Sequence, residues 1–220
     1  MSTLASLAAL ASDVLSVAGI PGGALLEDVT KRLLDRRIAQ AREILLEEIR
    51  RGEKHISQAG DEDEFAAILF RYQRAAIEGT ARLNLRLLAA VAAGQGARTG
   101  FAADEFLAWA DVLATLRREE LILVAALWRI ERGDATKVMG STAASDPIWT
   151  QLEAQLIPDP FPTPADVVAA ASACTRTGLV ATVGGTWSQA VTFTTTPRLA
   201  KLLELATIED VLGRDGAFRR

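Results

Sequence analysis

The chain has 220 residues, of which 50% are hydrophobic and 24% are charged, and it contains a single cysteine. This composition predicts a soluble globular protein of one or two domains with a substantial hydrophobic core. The formal net charge of -4 excludes a global positive field, so binding to nucleic acid or to an anionic membrane would need a local basic patch. One cysteine excludes an internal disulfide and is compatible with the cytoplasm, where we expect the protein to reside.

Residues 1–23 are predicted to form an amphipathic helix followed by a hinge. Apolar residues recur at helical spacing from Leu4 to Ala18, and Gly19 to Gly23 interrupts the pattern. No basic residue precedes Lys31, which argues against a secretory signal peptide. We expect this helix to pack on its own domain or on a neighbouring subunit; membrane contact through residues 4–18 is the alternative.

Residues 24–133 are predicted to form a helical bundle that mediates association of the chain. Three long apolar patterns of helical period support this prediction, over Leu25–Arg51, 61–94 and Ala103–Arg132. Within the third pattern, Leu121 to Trp128 is apolar on every side, and eight residues indicate a buried helix rather than a membrane span.

Residues 134–145 lack an apolar period and are predicted to be a linker to a second domain over 146–213, which a tail over 214–220 follows. In this domain, a capping residue followed by proline marks three helix starts. These pairs are Asp146-Pro147, Thr163-Pro164 and Thr196-Pro197. The sequence predicts helices over Pro147–Leu156, over 164–177 and after Pro197, and a last helical turn to Leu212.

A hairpin is predicted between the second and third of these helix starts. Strands rich in β-formers, Leu179–Val183 and Thr186–Phe193, flank a two-residue Gly184-Gly185 loop. The expected fold is therefore mainly α: an N-terminal helical bundle plus a small C-terminal α+β domain with one β-hairpin.

The C-terminal domain resembles winged helix-turn-helix domains of the MarR-like kind. Cys174 to Val180 resembles their R-x-G-L-V stretch, and Thr194 to Pro197, after the hairpin, leads into a leucine-rich helix. The resemblance covers about 146–212. It implies that the helix before Gly178 is a recognition helix that enters the DNA major groove, and that the hairpin is a wing that touches the flanking backbone.

The charges of this domain favour a protein partner over DNA. The candidate recognition helix offers Arg176 as its one cation and carries Asp166, and the wing from Val183 to Gln189 has none. From residue 146 onward there are six basic and eight acidic residues, whereas DNA affinity depends on cationic contacts to phosphate. The alternative function is a DNA-binding transcriptional regulator that dimerises through the bundle. The candidate recognition surface comprises Thr175, Arg176, Trp187, Gln189, Arg198 and Lys201.

The organisation of the whole chain also resembles the Abi-alpha type of phage-associated bacterial proteins. A helical N-terminal part precedes a small C-terminal unit in which Thr177-Gly178-Leu179-Val180 opens a strand. The resemblance implies a bacterial protein with a phage or defence association.

Candidate catalytic residues, cofactor sites and metal sites are not predicted. The sequence contains no glycine-rich phosphate loop, no G-x-S-x-G elbow and no His/Cys cluster. We expect His55 to be an exposed surface residue, the acidic pairs Glu47-Glu48 and Glu119-Glu120 to lie on solvated helix faces, and Cys174 to fill a small core position. A candidate basic face comprises Lys31, Arg32, Arg36, Arg37 and Arg42, which could meet nucleic acid or an acidic partner. The sequence thus predicts a non-enzymatic recognition protein that binds a protein partner or itself.

Overall fold

The computed structural model describes residues 24–52, 62–98, 100–133, 147–183 and 192–215. These residues form helices and one two-stranded antiparallel sheet near the C-terminus, so the expected mainly helical fold with a small C-terminal sheet is confirmed. The predicted N-terminal helix over 4–18, the hinge and the 134–145 linker lie outside the described residues. In chain order, the elements are α1 (Ala24–Gly52), α2 (Glu62–Ile77), α3 (Arg82–Arg98), α4 (Ala103–Leu113), α5 (Arg118–Gly133), α6 (Pro147–Leu156), α7 (Pro164–Thr175), β1 (Val180–Val183), β2 (Thr192–Thr195), α8 (Pro197–Leu205) and α9 (Ile208–Arg214).

The chain separates into two compact units, Met1–Thr115 and Leu116–Arg220. This division differs from the expected boundary at 134–145, because α5 packs against α6, α7, β2 and α9 and so belongs to the second unit. The first unit contains α1 to α4, and the second contains every later element.

The first unit is a helical bundle in which α1 packs on α2 and α3, and α4 packs on the same two helices. Its core contains large, fully buried side chains such as Phe65, Tyr72, Leu88 and Phe106. Burial raises the pKa of Tyr72, whose hydroxyl donates a hydrogen bond of 2.9 Å to the Ala41 carbonyl. This bond gives the buried Tyr72 hydroxyl a hydrogen-bond partner where α2 packs on α1.

Two charged side chains are buried in the described part of this bundle, Arg86 of α3 and Glu48 of α1. The Arg86 guanidinium lies 3.2 Å from the Glu47 carboxylate and 3.8 Å from that of Glu48. Glu48 is itself 3% exposed, so the expectation that the Glu47-Glu48 pair lies on a solvated face is wrong for its second member. The spacing of α1 turns Glu48 inward beside Ala41, Ile44 and Leu45, where a buried carboxylate needs a cationic partner.

The predicted continuous helix over 61–94 is wrong, because the chain turns between Ile77 and Arg82. Gly79 adopts φ +91° there, and the Thr80 amide donates to the Ala75 carbonyl at 3.0 Å. This bond across the glycine is the 6→1 bond of a Schellman helix end, which requires a left-handed residue.

The predicted third helix is also two helices, since α4 ends at Leu113 and α5 begins at Arg118. At the start of α5 the backbone N–H of Arg117 donates to the Glu120 carboxylate at 2.8 Å. Glu120 thus occupies the N3 position of a helix start and satisfies the N-cap amide. The apolar pattern continues across the break, so the periodicity alone did not reveal it.

The second unit forms around α5, whose residues Leu121 to Leu127 are buried. Helix α6 matches its predicted bounds, and α7 and α8 begin at their predicted prolines. In the sheet, Val180 pairs with Thr195 and Val183 with Thr192. The element order after α5 is thus helix, helix, strand, strand, helix, helix.

The register of the hairpin corrects the predicted second strand. A two-residue Gly184-Gly185 loop would pair Val183 with Thr186, whereas Val183 pairs with Thr192. Contacts at the base of the sheet fix this register: Phe193 is buried against Trp149, with ring centroids 5.5 Å apart, and the Thr196 amide donates to the Leu179 carbonyl at 3.1 Å. The glycine pair itself lies outside the described residues.

Candidate recognition surface

The candidate recognition helix α7 begins with the predicted capping box. The Asp166 amide donates to the Thr163 hydroxyl oxygen at 3.3 Å, and the Thr163 amide donates to the Asp166 carboxylate at 3.0 Å. Pro164 follows at the first helical position, where the absence of an N–H costs nothing. The carboxylate of Asp166 is therefore part of the helix start.

Helix α7 buries one side and exposes a face without charge. Val167, Ala171 and Cys174 are buried. Besides Pro164 and Asp166 of the capping turn, the exposed positions of the helix are Ala165, Val168, Ala169 and Ser172, at helical spacing. Between Asp166 and Arg176 the helix therefore presents no cation to a phosphate backbone.

Cys174 confirms the expectation of a small core residue. Its side chain is fully buried, and its Sγ lies 4.0 Å from the Glu120 carbonyl oxygen. Burial raises the pKa of the thiol to about 12, so the thiol stays protonated at neutral pH.

Arg176, the one cation of this helix, forms an ion pair within the second unit. Its two terminal nitrogens lie 2.8 and 3.0 Å from the two carboxylate oxygens of Glu120, and Nη1 also donates to the Ala173 carbonyl at 2.6 Å. Arg176 is 46% exposed, whereas the Glu120 side chain is only 5% exposed. The expectation that Glu119-Glu120 lies on a solvated face is thus wrong for Glu120, which α5 turns toward α7.

The environment of Glu120 favours its charged form. Burial by itself raises the pKa of this carboxyl, but hydrogen bonds from Arg176 and from the Arg117 amide outweigh burial and hold the pKa below its ordinary value. The hydrogen bond to Glu120 also raises the pKa of Arg176. The pair is therefore a charge-assisted bidentate contact that ties the end of α7 to the start of α5.

Arg198 lies at the same end of α7, where the chain turns from α7 toward β1. Its Nη1 donates to the Thr177 carbonyl at 3.1 Å, and the Thr196 hydroxyl donates to the Gly178 carbonyl at 2.6 Å. Gly178 adopts φ +70°, and a Cβ at this position would lie 3.2 Å from Arg198 Nη1. The helix predicted over 164–177 ends two residues early, since α7 ends at Thr175.

The remaining members of the candidate recognition surface are only partly brought together. The Thr175 hydroxyl donates to the Ser172 carbonyl at 2.7 Å, within its own helix. Lys201 is exposed on α8. Trp187 and Gln189 lie outside the described residues, as does His55.

The candidate basic face in the first unit is distributed around α1. Arg32 and Arg36 lie one turn apart and are exposed, and Lys31 is exposed as well. Arg37 is exposed, although its Nη1 would lie 2.8 Å from a Cβ on Gly79, and Arg42 is half-buried. At about 100° per residue, these five positions do not share one face of the helix.

Sequence reasoning missed Glu131, a second acidic side chain that organises this unit. Its carboxylate accepts hydrogen bonds from the Thr195 amide at 3.0 and 3.3 Å and a further short one from the Thr195 hydroxyl. Glu131 thereby attaches β2 to α5. The sequence carries no signal for the contact of Glu120 with Arg176 or of Glu131 with Thr195, because the two residues of each pair are more than 50 positions apart.

Comparison with protein-family models, with curated proteins and with solved structures gives no significant match. Over the ranges that the structure describes, no cluster of three or more His, Cys, Asp or Glu side chains has an arrangement suited to a metal ion. None of the described helices is both long enough and apolar enough to cross a bilayer.

Proposed function

We propose that this protein is a non-enzymatic recognition protein whose second unit is a winged-helix module that binds a protein partner, and whose first unit mediates association. The order of α5, α6, α7, the hairpin and α8 supports the winged-helix interpretation, with α7 as the recognition helix. The phage or defence association implied by the resemblance to Abi-alpha proteins stays a prediction.

The observation that carries the choice of a protein partner is the ion pair of Arg176 with Glu120. DNA binding by a helix of this kind relies on cations that reach phosphates and base edges. The guanidinium of Arg176 has two of its donors on Glu120, and Arg198 donates to a backbone carbonyl of its own unit. After Asp166, the exposed side chains of α7 are Val168, Ala169 and Ser172, which carry no charge and suit contact with a protein surface.

The proposal is tested by titrating the full chain with a random fluorescent DNA duplex at physiological salt. We expect little binding and a shallow dependence on salt concentration. Tight binding with a steep salt slope would support the alternative instead, a transcriptional regulator that binds DNA. In that case Arg198→Ala and Lys201→Ala should each reduce the slope, whereas Arg132→Ala in α5 serves as the control for loss of one exposed cation.

The association role has its own measurement. Sedimentation equilibrium of the full chain at micromolar concentration should give a mass above that of one 23.5 kDa chain. A monomer mass over the whole concentration range would remove association from the proposed function and leave the recognition role to be judged separately.

A further inference from the structure

An exposed phenylalanine marks one surface of the first unit. Phe70 of α2 is 59% exposed, and Leu107 of α4 is 36% exposed. Helix α2 packs on α4, and Arg71 pairs with Asp111 across the two helices at 2.8 Å. Phe70 directly precedes Arg71, and Leu107 lies one turn before Asp111, so the two apolar side chains flank the same ion pair.

The charges around this surface are mostly acidic. Helices α2 and α4 together contain six acidic residues and two basic ones, Arg71 and Arg74, both of which form ion pairs with acidic side chains of the first unit. Asp104 and Asp111 are exposed and lie one turn to either side of Leu107. We call the surface formed by Phe70, Leu107, Asp104 and Asp111 the phenylalanine face.

A surface of the opposite charge lies on α1 of the same unit. Leu33 is 57% exposed. Arg36 and Arg37 follow it by three and four positions and are both exposed, so they share its side of the helix. Asp35 lies about 160° around the helix from Leu33. We call the surface formed by Leu33, Arg36 and Arg37 the leucine face.

We propose that the leucine face of one copy of the chain docks on the phenylalanine face of a second copy. This inference rests on the proposed association role of the first unit and names the surfaces that carry it. Leu33 and Phe70 are both largely exposed, so they do not cover each other within one chain. One face surrounds an apolar centre with carboxylates and the other with guanidinium groups, so the two are complementary in both apolar area and charge.

The same charges exclude a symmetric contact between like faces. Two leucine faces would place arginine against arginine, and two phenylalanine faces would place aspartate against aspartate, which costs free energy. The pairing is therefore head-to-tail, with each copy contributing a different surface. A dimer of this kind leaves one face of each type open, so further copies can add.

Two single substitutions test this pairing in sedimentation equilibrium of the full chain. Leu33→Glu brings a carboxylate against the aspartates of the partner copy, and Phe70→Lys brings a cation against its arginines. Each variant alone should self-associate about thirtyfold more weakly than the wild-type chain, which is the effect of losing an interface hot spot. Val168→Glu is the matched control, because Val168 is an exposed apolar residue of the second unit, and it should self-associate like the wild-type chain.

An equimolar mixture of the two variants should assemble again, but only to a heterodimer of twice the 23.5 kDa chain mass. The Leu33→Glu chain retains the phenylalanine face, and the Phe70→Lys chain retains the leucine face, so one head-to-tail contact remains possible. Circular dichroism melting should give both variants the Tm of the wild-type chain, because both side chains are largely exposed. If either variant melted early, Arg36→Glu and Asp104→Lys would repeat the test at the edges of the same two faces.

The possible results separate this pairing from association in general. A wild-type chain that assembles, with variants that assemble equally well, would overturn the pairing and leave the association role intact. A mixture that stays monomeric although each variant alone has lost assembly would overturn the head-to-tail arrangement, as would loss of assembly in only one of the two variants. A wild-type chain that is monomeric at every concentration would overturn both the pairing and the association role.

Discussion

Arg176 and Glu120 join the end of α7 to the start of α5 through two hydrogen bonds of 2.8 and 3.0 Å. Glu120 also accepts the Arg117 amide, so one nearly buried carboxylate satisfies a helix start and neutralises the one cation of the candidate recognition helix. The same contact therefore supports the fold of the second unit and lowers its suitability for DNA.

Replacement of Glu120 should destabilise the second unit. Glu120→Gln removes the charge that Arg176 and the Arg117 amide bind, and we expect a loss of about 1–3 kcal/mol in the free energy of unfolding. Urea unfolding of the two chains measures this loss in the free energy of unfolding. The control is Glu119→Gln, because Glu119 is exposed in the same helical turn and should change stability by less than about 0.5 kcal/mol. Equal losses in the two variants would contradict the role of the ion pair.

The contribution of Glu120 should disappear in acid. Its pKa in the folded chain lies below the ordinary value of 4.5, so its charged form stabilises the fold at any pH above 4.5. As the pH falls below 4.5 and through the lowered pKa, this stabilisation is lost. The stability difference between the wild-type chain and Glu120→Gln should stay constant near neutral pH and shrink in acid. A stability difference that grows on acidification would contradict a lowered pKa of Glu120 in the folded chain.

Gly178→Ala should destabilise the second unit, because the left-handed φ of +70° costs an alanine about 1–2 kcal/mol. The added Cβ would also lie 3.2 Å from Arg198 Nη1, which would have to move. Gly213→Ala is the matched control, since Gly213 lies in α9 with no atom within 4 Å of an added Cβ. Thermal unfolding should show a lower Tm for Gly178→Ala alone; equal Tm values would argue against a strained turn.

The attachment of β2 to α5 is tested by Thr195→Val, which keeps the shape of the side chain and removes its hydroxyl. The Glu131 carboxylate then loses one donor but retains the Thr195 amide. We expect a loss of about 0.5–1.5 kcal/mol in the free energy of unfolding. Thr182→Val, at an exposed position of β1, is the control. If both valine variants were equally stable, the hydroxyl of Thr195 would contribute nothing.

In the first unit, Arg86→Met should leave the buried carboxylate of Glu48 without its cation. Loss of one partner of a buried ion pair costs about 3–5 kcal/mol, and urea unfolding of the full chain should show an early transition. Arg74→Met is the control, since Arg74 is 73% exposed in its pair with Glu78, and we expect almost no loss there. A stable Arg86→Met variant would mean that Glu48 tolerates burial without this guanidinium.

The local signals of the sequence determined the starts and ends of several helices. Thr163 and Thr196, each followed by proline, begin α7 and α8 as predicted, and Gly178 terminates the turn after α7. These outcomes depend on residues within one helical turn of each other, because capping and left-handed backbone conformations are set by neighbours in the chain. The mainly helical fold followed from the same local patterns.

The tertiary structure alone decided which charges are exposed and how the strands pair. The sequence treats Glu119 and Glu120 alike, but packing of α5 on α7 buries the second and brings Arg176 to it. The strand register depends on Phe193 meeting Trp149 and on Thr195 meeting Glu131, contacts that span 44 and 64 residues. Such contacts form only when distant segments pack together, so no local pattern encodes them.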